Sequence, residues 1–197
     1  MIPSREEAEH ILSEAEKLNP GPWGDHSRVV AACAGKIAGL CPGMDPEKAY
    51  ILGLLHDIGR GFGKGHLRHV YDGYKYMLRS GYDEAARVCL THSFCIPDIH
   101  DYIGNFDIDK SEQKEITENL QSIRFNDYDY LIQLCDSLSM PGGVVDMDTR
   151  MADVERRYGS YPWEKRKRNR ELKAYFEKLS GVNIYEIISD NHDLWGK

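Results

Sequence analysis

Residues 50–64 read YILGLLHDIGRGFGK, an apolar helical run that ends in an adjacent histidine and aspartate, His56 and Asp57, before a glycine-rich exit. Ala49, Leu52 and Leu55 recur at helical spacing, so the segment buries one face, and the pair falls where that buried face ends. A helix built only for stability would continue with leucine or alanine, because two polar side chains are costly to bury side by side. Asp45 and Pro46 start this helix, and the glycines of GRGFGKG stop it.

The same periodicity extends in both directions. Residues 4–18 open with Ser4, Glu6 and Glu7 and carry Ile11, Ala15 and Leu18 on one stripe. NPGPWG, residues 19–24, breaks that helix and Asp25 is placed to cap the next, whose stripe runs His26, Val30, Cys33, Ile37 and Leu40. Further helices are predicted over about 66–80, 83–93, 112–122 and 126–139, with 96–112 irregular and MPGG (140–143) as a break. The last third is charged and helical, and no segment alternates with period two over a useful length. The expected fold is all-α: a helical bundle over 1–142 with a helical C-terminal extension, 143–197, packed on the same domain.

Composition narrows the function. With 197 residues and a net charge of −7, the chain is long enough for a real core and has the wrong overall sign for a nucleic-acid polymer. The acidic start MIPSREEAEH is unlike a signal peptide, and no apolar run approaches the length that spans a bilayer, so a cytoplasmic protein without a membrane partner is expected. The five cysteines form no C-x-x-C pair; Cys33, Cys89 and Cys135 read as small core residues. KRKRNR, residues 165–170, reads as a solvated helix face, with a patch for an acidic partner or a substrate phosphate as the alternative.

Other polar residues share the odd position of His56 and Asp57. His26 lies on the stripe of Val30 and Cys33, and His92 follows Val88 and Cys89 at helical spacing. Asp136 lies inside the apolar LIQLCDSLSM, four residues after Ile132. In GHLRHVYDGYKYML, His69 shares a face with Gly73, which allows a neighbour to approach closely. His10, His66, His100 and His192 sit in polar or loop settings and read as surface residues. Imidazoles beside carboxylates suit iron, manganese, zinc or cobalt, and a bound cation offsets the buried negative charge.

The order His26, His56-Asp57, His69, His92, Asp136, with 29, 11, 22 and 43 intervening residues, resembles the HD-domain superfamily of metal-dependent phosphohydrolases in its dinuclear branch. The resemblance covers about residues 26–140, and LLHDIGRG is its most specific element. It implies that His26, His56, Asp57 and Asp136 hold one ion and that Asp57 bridges to a second held by His69 and His92. Two divalent transition-metal ions are thus implied, with iron or manganese favoured over cobalt or zinc, and His56 and Asp57 are central to catalysis. Arg60 and Lys64 leave the same helix end and are expected to bind substrate, Arg60 as the bidentate phosphate ligand that also assists catalysis. Residues 98–110 follow His92 and are placed to form a lid or specificity wall.

The expected partner is a small phosphorylated substrate such as a nucleotide, and a homodimer is left open. The same ligands also resemble mixed-valence di-iron oxygenases such as myo-inositol oxygenase, and a non-catalytic nucleotide sensor is a third reading.

Overall fold

The structure, a computed structural model, describes residues 1–189. Helix α1 (Arg5–Leu18) starts at a capping box in which the Ser4 side chain accepts from Glu7 N–H and Glu7 reaches back. Its inner face is Ala8, Leu12 and Ala15, whereas Leu18 is exposed, one step off the stripe predicted for it. Helix α2 (Trp23–Ala38) begins three residues earlier than expected: Pro22 precedes it with a helical φ, and Asp25 sits inside the first turn against Arg28 instead of capping. Leu40 lies beyond the end of α2 and is exposed.

Asp45 caps α3 (Pro46–Leu55) by accepting from the N–H groups of Glu47 and Lys48. The chain then tightens into a 3-10 turn, Ile58–Phe62, directly after His56 and Asp57. Helices α4 (Leu67–Arg79) and α5 (Asp83–Thr91) follow as an antiparallel pair. Residues between α5 and α6 (Lys110–Ser122) hold only a 3-10 turn, Ile99–Asp101, but Ile99 and Ile108 are buried, so this stretch is a packed wall. Asp109 caps α6 and Asn126 caps α7 (Asp127–Asp136), each in a capping box.

The predicted break at MPGG is a small antiparallel hairpin, β1 (Ser139–Met140) with β2 (Gly143–Val144), too short to leave a period-two signal. Helices α8 (Met147–Tyr158), α9 (Trp163–Ser180) and α10 (Ile184–Ser189) complete the described chain.

Helices α2 and α3 cross at the centre, with α1 over the 3-10 turn and α7 behind α2. Gly53 makes the α2–α3 crossing close: a Cβ there would lie 2.8 Å from Ala31 Cα. The principal apolar cluster draws on α1, α2, α3, α5, α7 and all three C-terminal helices, through Met151, Leu172, Phe176, Ile184 and Ile188 among others. A second cluster joins α4, α5, α6 and the wall through Leu67, Val70, Leu90, Phe94 and Ile116. All five cysteines are free; Cys33, Cys41, Cys89 and Cys135 are buried. Among the described residues no helix is long and apolar enough to cross a membrane.

Candidate metal centre

Each inward polar residue sits in the first turn of a helix, at a helix end or just past one. His26 is in the first turn of α2, His56 follows the last residue of α3, His92 follows α5, and Asp136 ends α7. Asp57 opens the 3-10 turn, and His69 is on the buried face of α4. Two glycines bring these last elements together. A Cβ on Gly59 would lie 1.9 Å from the His69 carbonyl oxygen and 2.6 Å from Gly73 N, so the turn lies backbone to backbone on α4. A Cβ on Gly73 would meet Gly59 N at 3.1 Å, which is the close approach expected of that glycine.

The result is a tight set of donor atoms. Asp57 Oδ1 is 3.1 Å from His69 Nε2 and 3.5 Å from His92 Nε2, and these two nitrogens are 3.4 Å apart. Asp57 Oδ2 is 3.9 Å from His56 Nε2. His26 Nε2 is 3.0 Å from Asp136 Oδ1, and the His26 and His56 rings are 5.4 Å apart between centroids. Two triads have ligand atoms within 4.8 Å of one another, His26–His56–Asp57 and Asp57–His69–His92, and Asp57 belongs to both. Asp136 adjoins the first triad through His26.

Three of the histidines are oriented by the backbone one turn before them. His56 Nδ1 donates to Gly53 O (2.6 Å), His92 Nδ1 to Cys89 O (2.9 Å), and His69 Nδ1 to His66 O. A carbonyl only accepts, so Nδ1 carries the hydrogen and each Nε2 presents its lone pair inward. Among the described residues His56 Nε2 and Asp57 Oδ1 are buried with no hydrogen-bond partner, a costly arrangement that a cation among them would relieve. The donor set of imidazole nitrogens and carboxylate oxygens, with tautomers fixed from behind, fits divalent transition metals.

The electrostatics favour the same state. Burial foremost lowers His56 to about 4, against the opposing pull of Asp57. Burial, then the Arg60 charge, lowers His69 to about 4. Burial alone would raise Asp57, but the Arg60 charge foremost among its neighbours holds it well below the usual carboxylate range. Burial opposes Asp136 likewise, and the His26 hydrogen bond and Arg150 charge hold it well below that range. At neutral pH these imidazoles are neutral and these carboxylates ionised, the forms that bind metal.

His26, Asp57, His69, His92 and Asp136 line a cavity of about 760 Å³. Arg60 and Lys64 both line it. Arg60 is partly committed: its Nε donates to Asp57 Oδ2 at 2.5 Å, and Nη2 is 3.4 Å from His69 Nε2. It therefore braces the shared carboxylate, a role absent from the sequence reading, and leaves Nη1 uncommitted. Lys64 is exposed on the lining and has no ion pair among the described residues.

Several lining residues escaped the sequence reading because they come from the C-terminal helices. Arg150 donates to the Asp136 carboxylate and carbonyl, both at 3.2 Å, from the last element of the chain expected to touch the site. Lys165, assigned to a solvated basic face, is 5% exposed; its ammonium bonds Asp101 at 2.8 Å and Ser93 O at 3.0 Å, joining α9 to the wall. Tyr158 continues an apolar stripe with Met147, Met151 and Val154, a spacing that marks an inward face without marking chemistry. His66, read as a surface residue, lines the cavity with its ring 5.6 Å from that of Tyr158. His10 and His100 are exposed, and His192 lies outside the described residues.

Asp129, also buried on α7, is no part of the cluster. Arg87 and the Thr91 hydroxyl satisfy it.

Compared with protein-family models, the chain matches the HD domain over residues 23–140, more than half its length. No curated protein and no solved structure gives a match.

Proposed function

The chain belongs to the HD domain family, whose members are mostly metal-dependent phosphohydrolases, and from that premise we propose that it hydrolyses a nucleotide or another small phosphate ester. The observation that carries the reading is the pair of unpartnered buried atoms, His56 Nε2 and Asp57 Oδ1, within a His/Asp cluster beside a large cavity. In this reading His26, His56, Asp57 and Asp136 would hold one divalent ion, and Asp57, His69 and His92 would hold a second. Bound ions of this kind supply Lewis acidity and lower the pKa of a bound water, which then serves as nucleophile.

The chain's own residues do the rest. The carbonyls of Gly53, His66 and Cys89 keep three imidazoles in the ligating tautomer. Arg60 orients Asp57, and Arg150 orients Asp136. Lys64 and the free edge of Arg60 add positive charge toward an ester's phosphoryl oxygens. Such cations favour a phosphorylated substrate over the neutral polyol of an oxygenase, although the ligands suit both. Iron or manganese is the proposed native metal.

The test is metal analysis of protein purified without oxygen, followed by a screen of nucleotides and phosphate esters. Phosphate release supported by Mn²⁺ under argon is expected. Oxygen consumption with a substrate, and no phosphate from any ester, would replace the hydrolase with the oxygenase.

A further inference from the structure

Two tyrosines line the cavity with hydroxyls that no described residue engages. The Tyr102 ring, in the wall between α5 and α6, packs beside Phe94 (6.0 Å between centroids), Phe106 (6.3 Å) and His69 (6.4 Å). The Tyr158 ring, at the end of α8, lies 5.6 Å from the His66 ring, with the Arg157 guanidinium 5.2 Å from its centroid. Both residues line the cavity. Among the described residues neither hydroxyl has a hydrogen-bond partner, and neither is fully buried.

Two accessible phenol hydroxyls in the cavity that His26, Asp57, His69, His92 and Asp136 also line are donors open to a ligand that enters it. Both phenols line the cavity together with Arg60, the residue that braces Asp57, and the Tyr102 ring packs beside His69.

We infer that Tyr102, Tyr158 and the free edge of Arg60 form a clamp of hydrogen-bond donors for the non-bridging oxygens of the substrate's phosphoryl group. The identity of the ligand rests on the phosphohydrolase reading; the placement of the donors does not. Two phenols and a guanidinium edge suit a tetrahedral anion, whose oxygens accept from several directions at once. Tyr158 lies beyond the family match, so the clamp makes the C-terminal helices part of the active site.

The test uses the full-length, metal-loaded protein with Tyr102→Phe, Tyr158→Phe and the double variant. Each single change should weaken binding of inorganic phosphate, read by calorimetry, by roughly tenfold, as expected for a hydrogen bond to a charged group. It should lower kcat/KM for ester hydrolysis by roughly ten- to a hundredfold. Metal content and Tm should stay at wild-type values, because the removed hydroxyls bond nothing in the fold. Unchanged phosphate affinity and kcat/KM in both single variants would overturn the clamp, as would a fall in Tm that accounts for the loss. Phosphate binding needs no turnover: a wild type that binds phosphate through both tyrosines and cleaves no ester overturns the hydrolase reading and leaves the clamp standing.

Discussion

Asp57 keeps its charge at 4% exposure, with Arg60 on one oxygen and His69 and His92 facing the other. Its membership of both triads gives the first prediction. Asp57→Ala should leave the purified protein with essentially no bound metal by elemental analysis, whereas His92→Ala should retain one ion. Equal metal content in the two variants would show that Asp57 is not shared between two ions.

The neighbouring histidines link the site to acid stability. His56 and His69 titrate near 4 in the fold against 6.5 when exposed, so below 6.5 the unfolded chain binds more protons. Their contribution is fully present above 6.5 and is lost as pH falls toward 4, on the order of 3 kcal/mol for each histidine. Asp57 and Asp136 act lower: their contribution holds above the carboxylate reference of 3.8 and falls away beneath it. Chelator-treated protein should therefore show a steady fall in denaturant midpoint between about pH 6.5 and 4. A midpoint that is flat over that window would mean the imidazoles are not held neutral by burial.

The meeting of the 3-10 turn with α4 is the contact on which the second triad depends. Gly59→Ala would set a methyl 1.9 Å from the His69 carbonyl oxygen, which cannot move without α4. The turn must retreat, carrying Asp57 away from His69. A loss of roughly 1–3 kcal/mol in unfolding free energy is expected, together with a lower metal content. Wild-type metal content in a destabilised Gly59→Ala protein would show that the packing and the site are independent.

At this scale the sequence was informative wherever a helix buried one face. The stripes of α2 and α3, and the inward facing of His26, His56, His69, His92 and Asp136, follow from 3.6-residue periodicity broken by residues that do not belong in a core. What lay outside its reach has physical causes. The hairpin at 139–144 is too short to alternate, and Lys165 is buried because a partner 64 residues away, Asp101, receives its charge. Asp129 shows the converse, since an inward aspartate on the helix that carries Asp136 is satisfied by Arg87 instead. Local spacing says which way a side chain points; the distant partner says what it does there.

The whole molecule is larger than the family match, which ends at residue 140. Helices α8 to α10 add Met151, Leu172, Phe176, Ile184 and Ile188 to the principal apolar cluster, all at 2% exposure or less. They also supply Arg150 to Asp136 and Lys165 to the wall. Truncating a single large core side chain costs roughly 2–5 kcal/mol, while a domain's total stability is about 5–15 kcal/mol. Removing five such side chains at once costs an amount comparable to that whole margin. A chain ending at Gly142 should therefore fail to unfold cooperatively, bind hydrophobic dye and carry little metal, although it retains all six inward His and Asp residues. Restoring the missing segment as a separate polypeptide should recover metal binding only when the two pieces co-purify. If the truncated chain instead melts cooperatively and keeps its full metal content, then residues 143–189 are an addition to a self-sufficient HD domain, and their share in the site would be limited to contacts with substrate.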